Sequence, residues 1–138
     1  MNEKINYEIE EILTYLKDIN DLEIKDFNDL ITNRQKLLSS CMCIFNIINS
    51  TIEIGEEIIS TKKFETPLKY REIYEILNNN KVLSLKVSKK LSSFIYQRNM
   101  LAHQYGKLNK RKIYEVVKEK NVFLDFIDEI KIFLQSDN

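Results

Sequence analysis

The chain has little that bends or cross-links a backbone. Its 138 residues include two glycines, one proline, two cysteines, one histidine and no tryptophan. So few turn formers argue against a fold of many short strands, whereas abundant Ile, Leu, Lys and Glu favour long helices. Cys41 and Cys43 stand at i, i+2, which on a helix points their side chains about 200° apart, so buried thiols are expected rather than a mutual disulfide. One histidine cannot complete a metal site with them, and neither metal nor cofactor is expected. The opening "MNEKINYEIEEILTYLKDIN" mixes acids and bases into its apolar residues, unlike a secretory signal. No apolar run approaches the roughly 20 residues that span a bilayer. A cytoplasmic protein with one domain, over residues 1–138, is the expectation.

Charge is balanced overall, with 21 Lys and Arg against 21 Asp and Glu, which argues against a general nucleic-acid coat protein. Its distribution is uneven. Residues 81–120 hold eleven bases against Glu115 and Glu119, a net of +9, while residues 1–80 carry −6 and residues 121–138 carry −3. The basic segment surrounds the only histidine.

Apolar spacing predicts a helix over about Lys4–Asn20 with Ile5, Ile9, Ile12, Leu13 and Leu16 on its buried face. A longer one is expected from Asp26 or Asn28 to about Ser60, carrying Leu30, Leu37, Leu38, Cys41, Ile44, Phe45, Ile48, Ile52 and Ile58. Thr66 and Pro67 read as the cap and first residue of a short helix ending at the asparagines 78–80. A fourth helix follows from near Ser84, through Val87, Leu91, Phe94, Ile95 and Leu101, to His103, with Gly106 as its stop. A last helix is expected over about 110–134, with Ile113, Val116, Val117, Phe123, Leu124, Ile127, Ile130 and Phe133. The sum is an all-α, up-and-down bundle of four long helices plus a short one.

Within "RNMLAHQY", Arg98 and His103 lie five apart, about 140° around a continuous helix. A shared site therefore requires fraying at the helix end, the reach of the arginine, or a second subunit. Asn99 is four before His103 and faces the same way, so it is a candidate to orient the imidazole. The set suits phosphodiester cleavage without a metal: an imidazole, titrating near ~6.5, moves protons at neutral pH, and a guanidinium offers planar donors to phosphoryl oxygens. RNA brings its own nucleophile, the 2′-hydroxyl. Spacing alone leaves a plainer reading open, in which His103 meets the terminal carbonyls of its helix, Arg98 is solvated and Tyr105 covers the helix end.

Arg98, four residues, His103, any residue, Tyr105 resembles the R-x4-H-x-Y motif of HepT-like members of the HEPN superfamily. Asn99 stands where a polar residue commonly follows the arginine. The order of the "RQKLLSSCMCIFNIINSTIEIGEEII", "ETPLKYREIYEIL" and "KIYEVVKEK" segments is also similar, over about residues 1–135. The resemblance implies a homodimeric, metal-independent endoribonuclease toxin that leaves a 2′,3′-cyclic phosphate, with Arg98 and His103 as the catalytic pair and Asn99 supporting them. It also implies an MntA-type nucleotidyltransferase antitoxin as partner, in a larger hetero-oligomer, adding AMP to Tyr105. The added charge and bulk would then sit where the RNA phosphate binds. Many relatives carry an acid four residues after the tyrosine, where this chain has Asn109; Lys107, Lys110, Arg111 and Lys112 around it are candidate RNA contacts. Glu53, Glu56 and Glu57 are candidates to line the site, with solvent exposure the commoner reading. A second class of function stays open: a non-catalytic helical subunit that presents substrate to a nucleotidyltransferase.

Overall fold

A computed structural model describes residues 2–103 and 105–136, with the side chain of Tyr105 outside the described part. Among the described residues there are seven α-helices and no strand: α1 (Glu3–Asp21), α2 (Phe27–Thr32), α3 (Arg34–Lys62), α4 (Tyr70–Asn79), α5 (Leu85–His103), α6 (Lys110–Lys118) and α7 (Asn121–Ser136), with a 3-10 turn at Tyr105–Lys107. The all-α architecture is as expected. The helix count is higher because two helices expected to be continuous are each broken.

The first break is Asn33, whose backbone is extended and whose side chain accepts from Lys36 N at 3.1 Å, starting a new helix. Asp26 caps α2 in the same way, accepting from Asp29 N at 2.8 Å. The second break falls at Glu119 and Lys120, between α6 and α7. Apolar periodicity runs through both points, so it does not reveal them. A third difference concerns α4, which begins at Tyr70 rather than at Pro67. Glu72 Oε1 accepts from Leu68 N at 2.6 Å and Lys69 N at 3.2 Å, satisfying donors at the later start. Residues 64–69 therefore remain outside the helix. Gly106 is not a left-handed stop either: α5 ends at His103, and Gly106 lies in the 3-10 turn without a positive φ.

α3 is the hub of the packing, against α1, α2, α4, α5 and α6. It is long and apolar enough to cross a membrane by composition, but 61% of its most apolar window is buried within the fold. The sequence stripes supply that interior: Ile5, Ile9, Ile12 and Leu16 from α1, Ile44, Ile48, Ile52 and Ile58 from α3, Val87, Leu91 and Phe94 from α5, and Phe123, Ile127 and Ile130 from α7 are buried. Cys41 and Cys43 are buried without a disulfide, and burial pushes the Cys43 thiol up to about 11.

Gly55 decides how close α4 comes to α3. A Cβ there would collide with Ile73 Cγ2 and press on Leu77 Cδ1 at 3.4 Å. The approach is locked by buried polar bonds. Tyr74 Oη lies 2.8 Å from Thr51 Oγ1, which donates to Ile48 O at 2.7 Å, and Ser88 Oγ of α5 donates to Tyr74 O at 2.9 Å. Burial, outweighing the bond to Thr51, holds the Tyr74 phenol far above its ordinary range, so it stays a neutral structural group.

Candidate active site

Arg98 sits on α5 where α3 and the start of α4 converge. Its Nε donates to Asn49 Oδ1 at 2.8 Å, and Nη1 donates to Asn99 Oδ1 at 3.1 Å. Its guanidinium carbon lies 4.7 Å from the centroid of the Tyr70 ring and 5.5 Å from that of Phe45. Phe45 and Asn49 are one turn apart on α3, and Tyr70 is the first residue of α4. Three helices thus form a socket around one guanidinium. Among the described residues two of its five N–H groups have partners, which leaves three for a ligand.

That ligand space is a cleft of about 870 Å³ whose walls include Arg98, Asn99 and His103 of α5, Glu56 of α3, and Leu68 and Tyr70 at the head of α4. α5 is helical to its last residue, His103, which is exposed. Fraying ahead of the histidine is therefore not needed to bring the pair to one cavity. Arg98 reaches back to α3 while His103 stands at the helix end, and the cleft spans both. Asn99 Oδ1 meets the charged Arg98, and no bond from Asn99 to the imidazole is present among the described residues.

Of the three glutamates, Glu56 alone lines this cleft. Lys4 Nζ pairs with Glu53 at 3.1 Å and lies 4.0 Å from Glu57, holding both toward α1. Burial, then repulsion from Glu53, raises the Glu56 carboxyl above its ordinary range, and Lys4 partly opposes this.

None of Lys107, Lys110, Arg111 and Lys112 lines the cleft. Arg111 lies 3.9 Å over the Phe27 ring, which meets Tyr114 edge-on at 5.7 Å, and Lys112 pairs with Glu115 at 3.4 Å. Asn109 caps α6 by accepting from Arg111 N and Lys112 N at 3.0 and 3.2 Å. The proposed modification site, the Tyr105 side chain, lies outside the described residues; its backbone is in the turn just after His103.

Sequence reasoning missed Asn49 and Tyr70 and assigned Phe45 to the core. The only local signal was an asparagine inside the apolar stretch "CIFNIINSTIEIG", one turn from Phe45.

Comparison with known proteins places these observations in a family. The model of a family described as ribonuclease HepT-like matches residues 12–135. Among solved structures, the chain is similar to a tri-AMPylated Shewanella oneidensis HEPN toxin in complex with MNT antitoxin, with a TM-score of 0.87, 24% identity and coverage of 96% of this chain and 99% of that one. It is likewise similar to a toxin–antitoxin with AMP-PNP, at a TM-score of 0.84, 23% identity and coverage of 94% and 99%. A third similar structure is YutE, a cytosolic protein of unknown function from Bacillus subtilis, at a TM-score of 0.77, 22% identity and coverage of 96% and 92%. A search of the curated proteins gave no match.

Proposed function

The chain belongs to the HepT-like ribonuclease family, and from that membership we propose that it is a toxin that cleaves RNA without a metal, using Arg98 and His103. The observation that carries this reading is that a fixed guanidinium and an exposed imidazole share one cleft. Arg98 binds the phosphoryl oxygens and stabilises their growing charge in the transition state. The 2′-oxygen bonds to phosphorus and the bond to the 5′-oxygen breaks. One proton leaves the 2′-hydroxyl and one is delivered to the departing oxygen, giving a 2′,3′-cyclic phosphate and a 5′-hydroxyl. His103 moves one of these protons, and the histidine of a second copy in a homodimer moves the other.

The proposed partner is an MntA-type nucleotidyltransferase, and AMP on Tyr105 is the off-switch. A fold shared with an AMPylated toxin bound to its antitoxin supports this, as does the position of Tyr105 directly after the α5 terminus. A cytoplasmic setting follows from an RNA substrate, and similarity to a cytosolic protein supports it.

His103→Ala should abolish cleavage and growth inhibition while leaving the circular dichroism spectrum unchanged, and wild-type products should carry cyclic phosphate ends. Co-expression with the antitoxin should add whole AMP masses that disappear in Tyr105→Phe. Undiminished cleavage by His103→Ala would refute the catalytic assignment. A purified chain that cuts no RNA but stimulates nucleotide transfer by its partner would favour the substrate-presenting subunit instead.

A further inference from the structure

We propose that Asn49 and Tyr70, with Phe45 behind them, are positioning residues that hold the Arg98 guanidinium in one plane and direct its free N–H groups into the cleft. This inference rests on the proposed role of Arg98 in RNA cleavage and adds the parts that make such a role possible.

An arginine on a partly exposed helix face has four side-chain torsions and would normally sample many rotamers. Here two independent constraints act on the same group. The bond from Nε to Asn49 Oδ1, 2.8 Å long and spanning 49 residues of sequence, fixes the edge nearest the backbone. The Tyr70 and Phe45 rings, at 4.7 and 5.5 Å from the guanidinium carbon, restrict its plane. With Nε held by Asn49 and Nη1 touching Asn99, both N–H groups of Nη2 and one of Nη1 are left without a partner among the described residues. Such adjacent donors in one plane can meet phosphoryl oxygens side by side. A lysine could supply charge at this place but has no planar edge to hold or to present.

The arrangement also predicts which kinetic constant suffers. Long-range attraction of RNA depends on charge, which survives when Asn49 or Tyr70 is cut back. Transition-state stabilisation depends on orientation, which does not.

The test measures kcat and KM for cleavage together with hydrogen exchange at the Arg98 Nε–H by nitrogen-15 NMR, with Arg34 as the exposed reference. Asn49→Ala and Tyr70→Ala should each lower kcat about 10- to 100-fold with KM within about threefold, whereas Asn49→Asp and Tyr70→Phe, which keep the acceptor and the ring, should retain most of it. Exchange at Arg98 should be slower than at Arg34 in the wild type and should speed up in Asn49→Ala. In Arg98→Ala, millimolar guanidinium chloride should restore part of the cleavage, and Tyr70→Ala in the same chain should remove that rescue. Equal exchange at Arg98 and Arg34, or unchanged kcat in both alanine variants, would overturn the proposal. Absence of cleavage by the wild type would refute the function of the site, and the exchange measurement would still decide whether the socket holds Arg98.

Discussion

Arg98 and Arg111 are both stacked on aromatic rings, yet the two places do different things. The Arg98 guanidinium, between Tyr70 and Phe45 and bonded to Asn49, opens onto a cleft shared with His103. Arg111 lies closer to its ring, 3.9 Å from the Phe27 centroid, but on the surface, where it ties α6 to α2. Its neighbour Lys112 is paired with Glu115, and Lys118 lies 5.2 Å from the Tyr114 ring. The densest run of positive charge in the chain is thus partly committed to holding α6 in place, whereas Arg98, in the cleft, keeps donors free. Charge density along a sequence does not locate a site; what remains available after packing does.

Breaking the socket without touching its polar groups gives the largest effect expected here. Gly55→Ala would force Ile73 and the start of α4 away from α3, costing about 1–3 kcal/mol of stability as overpacking does. Because Tyr70 moves with α4, kcat should fall with it. Urea denaturation and cleavage assays on one preparation check both, and a variant with lowered stability but full kcat would separate Tyr70 from the site.

The basic stretch should behave in the opposite way. Replacing Lys107, Lys110 and Lys112 together by Ala should change cleavage less than about threefold near 0.15 M salt, since exposed charges are screened there. Arg111→Ala should lower stability by about 0.5–1 kcal/mol, the worth of an exposed cation–π contact, and leave kcat alone. A loss of cleavage as large as that of Arg98→Ala would move the RNA site to α6.

The smallest effect concerns the ion pair that ties α2, which carries Phe27, to α3. The Lys36 ammonium, 2.7 Å away, and then the Lys25 N–H hold the Asp29 carboxyl below its ordinary range. A carboxyl whose pKa is lower folded than unfolded stabilises the fold above its unfolded value, near ~3.9. That contribution disappears as pH falls through the folded value. Asp29→Asn should flatten the acid side of the stability–pH curve, and an unchanged slope would show that the pair contributes nothing in solution.

Much of the fold was legible because helical burial is local. The stripe Ile5, Ile9, Ile12 and Leu16 needs only a period of 3.6 to be recognised, and these residues are buried. The breaks at Asn33 and at Glu119 and Lys120 were not legible, since an apolar stripe continues through them; the first is made by one capping side chain and the second by backbone turn bonds. The start of α4 was misplaced for a similar reason, because Glu72 reaches back to Leu68 and Lys69 and outweighs the local preference of Pro67 for a helix start.

By itself the sequence determined an all-helical chain, its buried stripes, and a motif of arginine, histidine and tyrosine that resembles one family. Only the tertiary structure decided that Arg98 turns toward Asn49 and Tyr70, that Asn99 Oδ1 bonds to the arginine, and that Glu56 alone of three glutamates lines the cleft. The physical reason is separation along the chain. Arg98 meets residues 49 and 28 positions away, through an approach of α4 to α3 that the missing Cβ of Gly55 allows, and no local period carries such information.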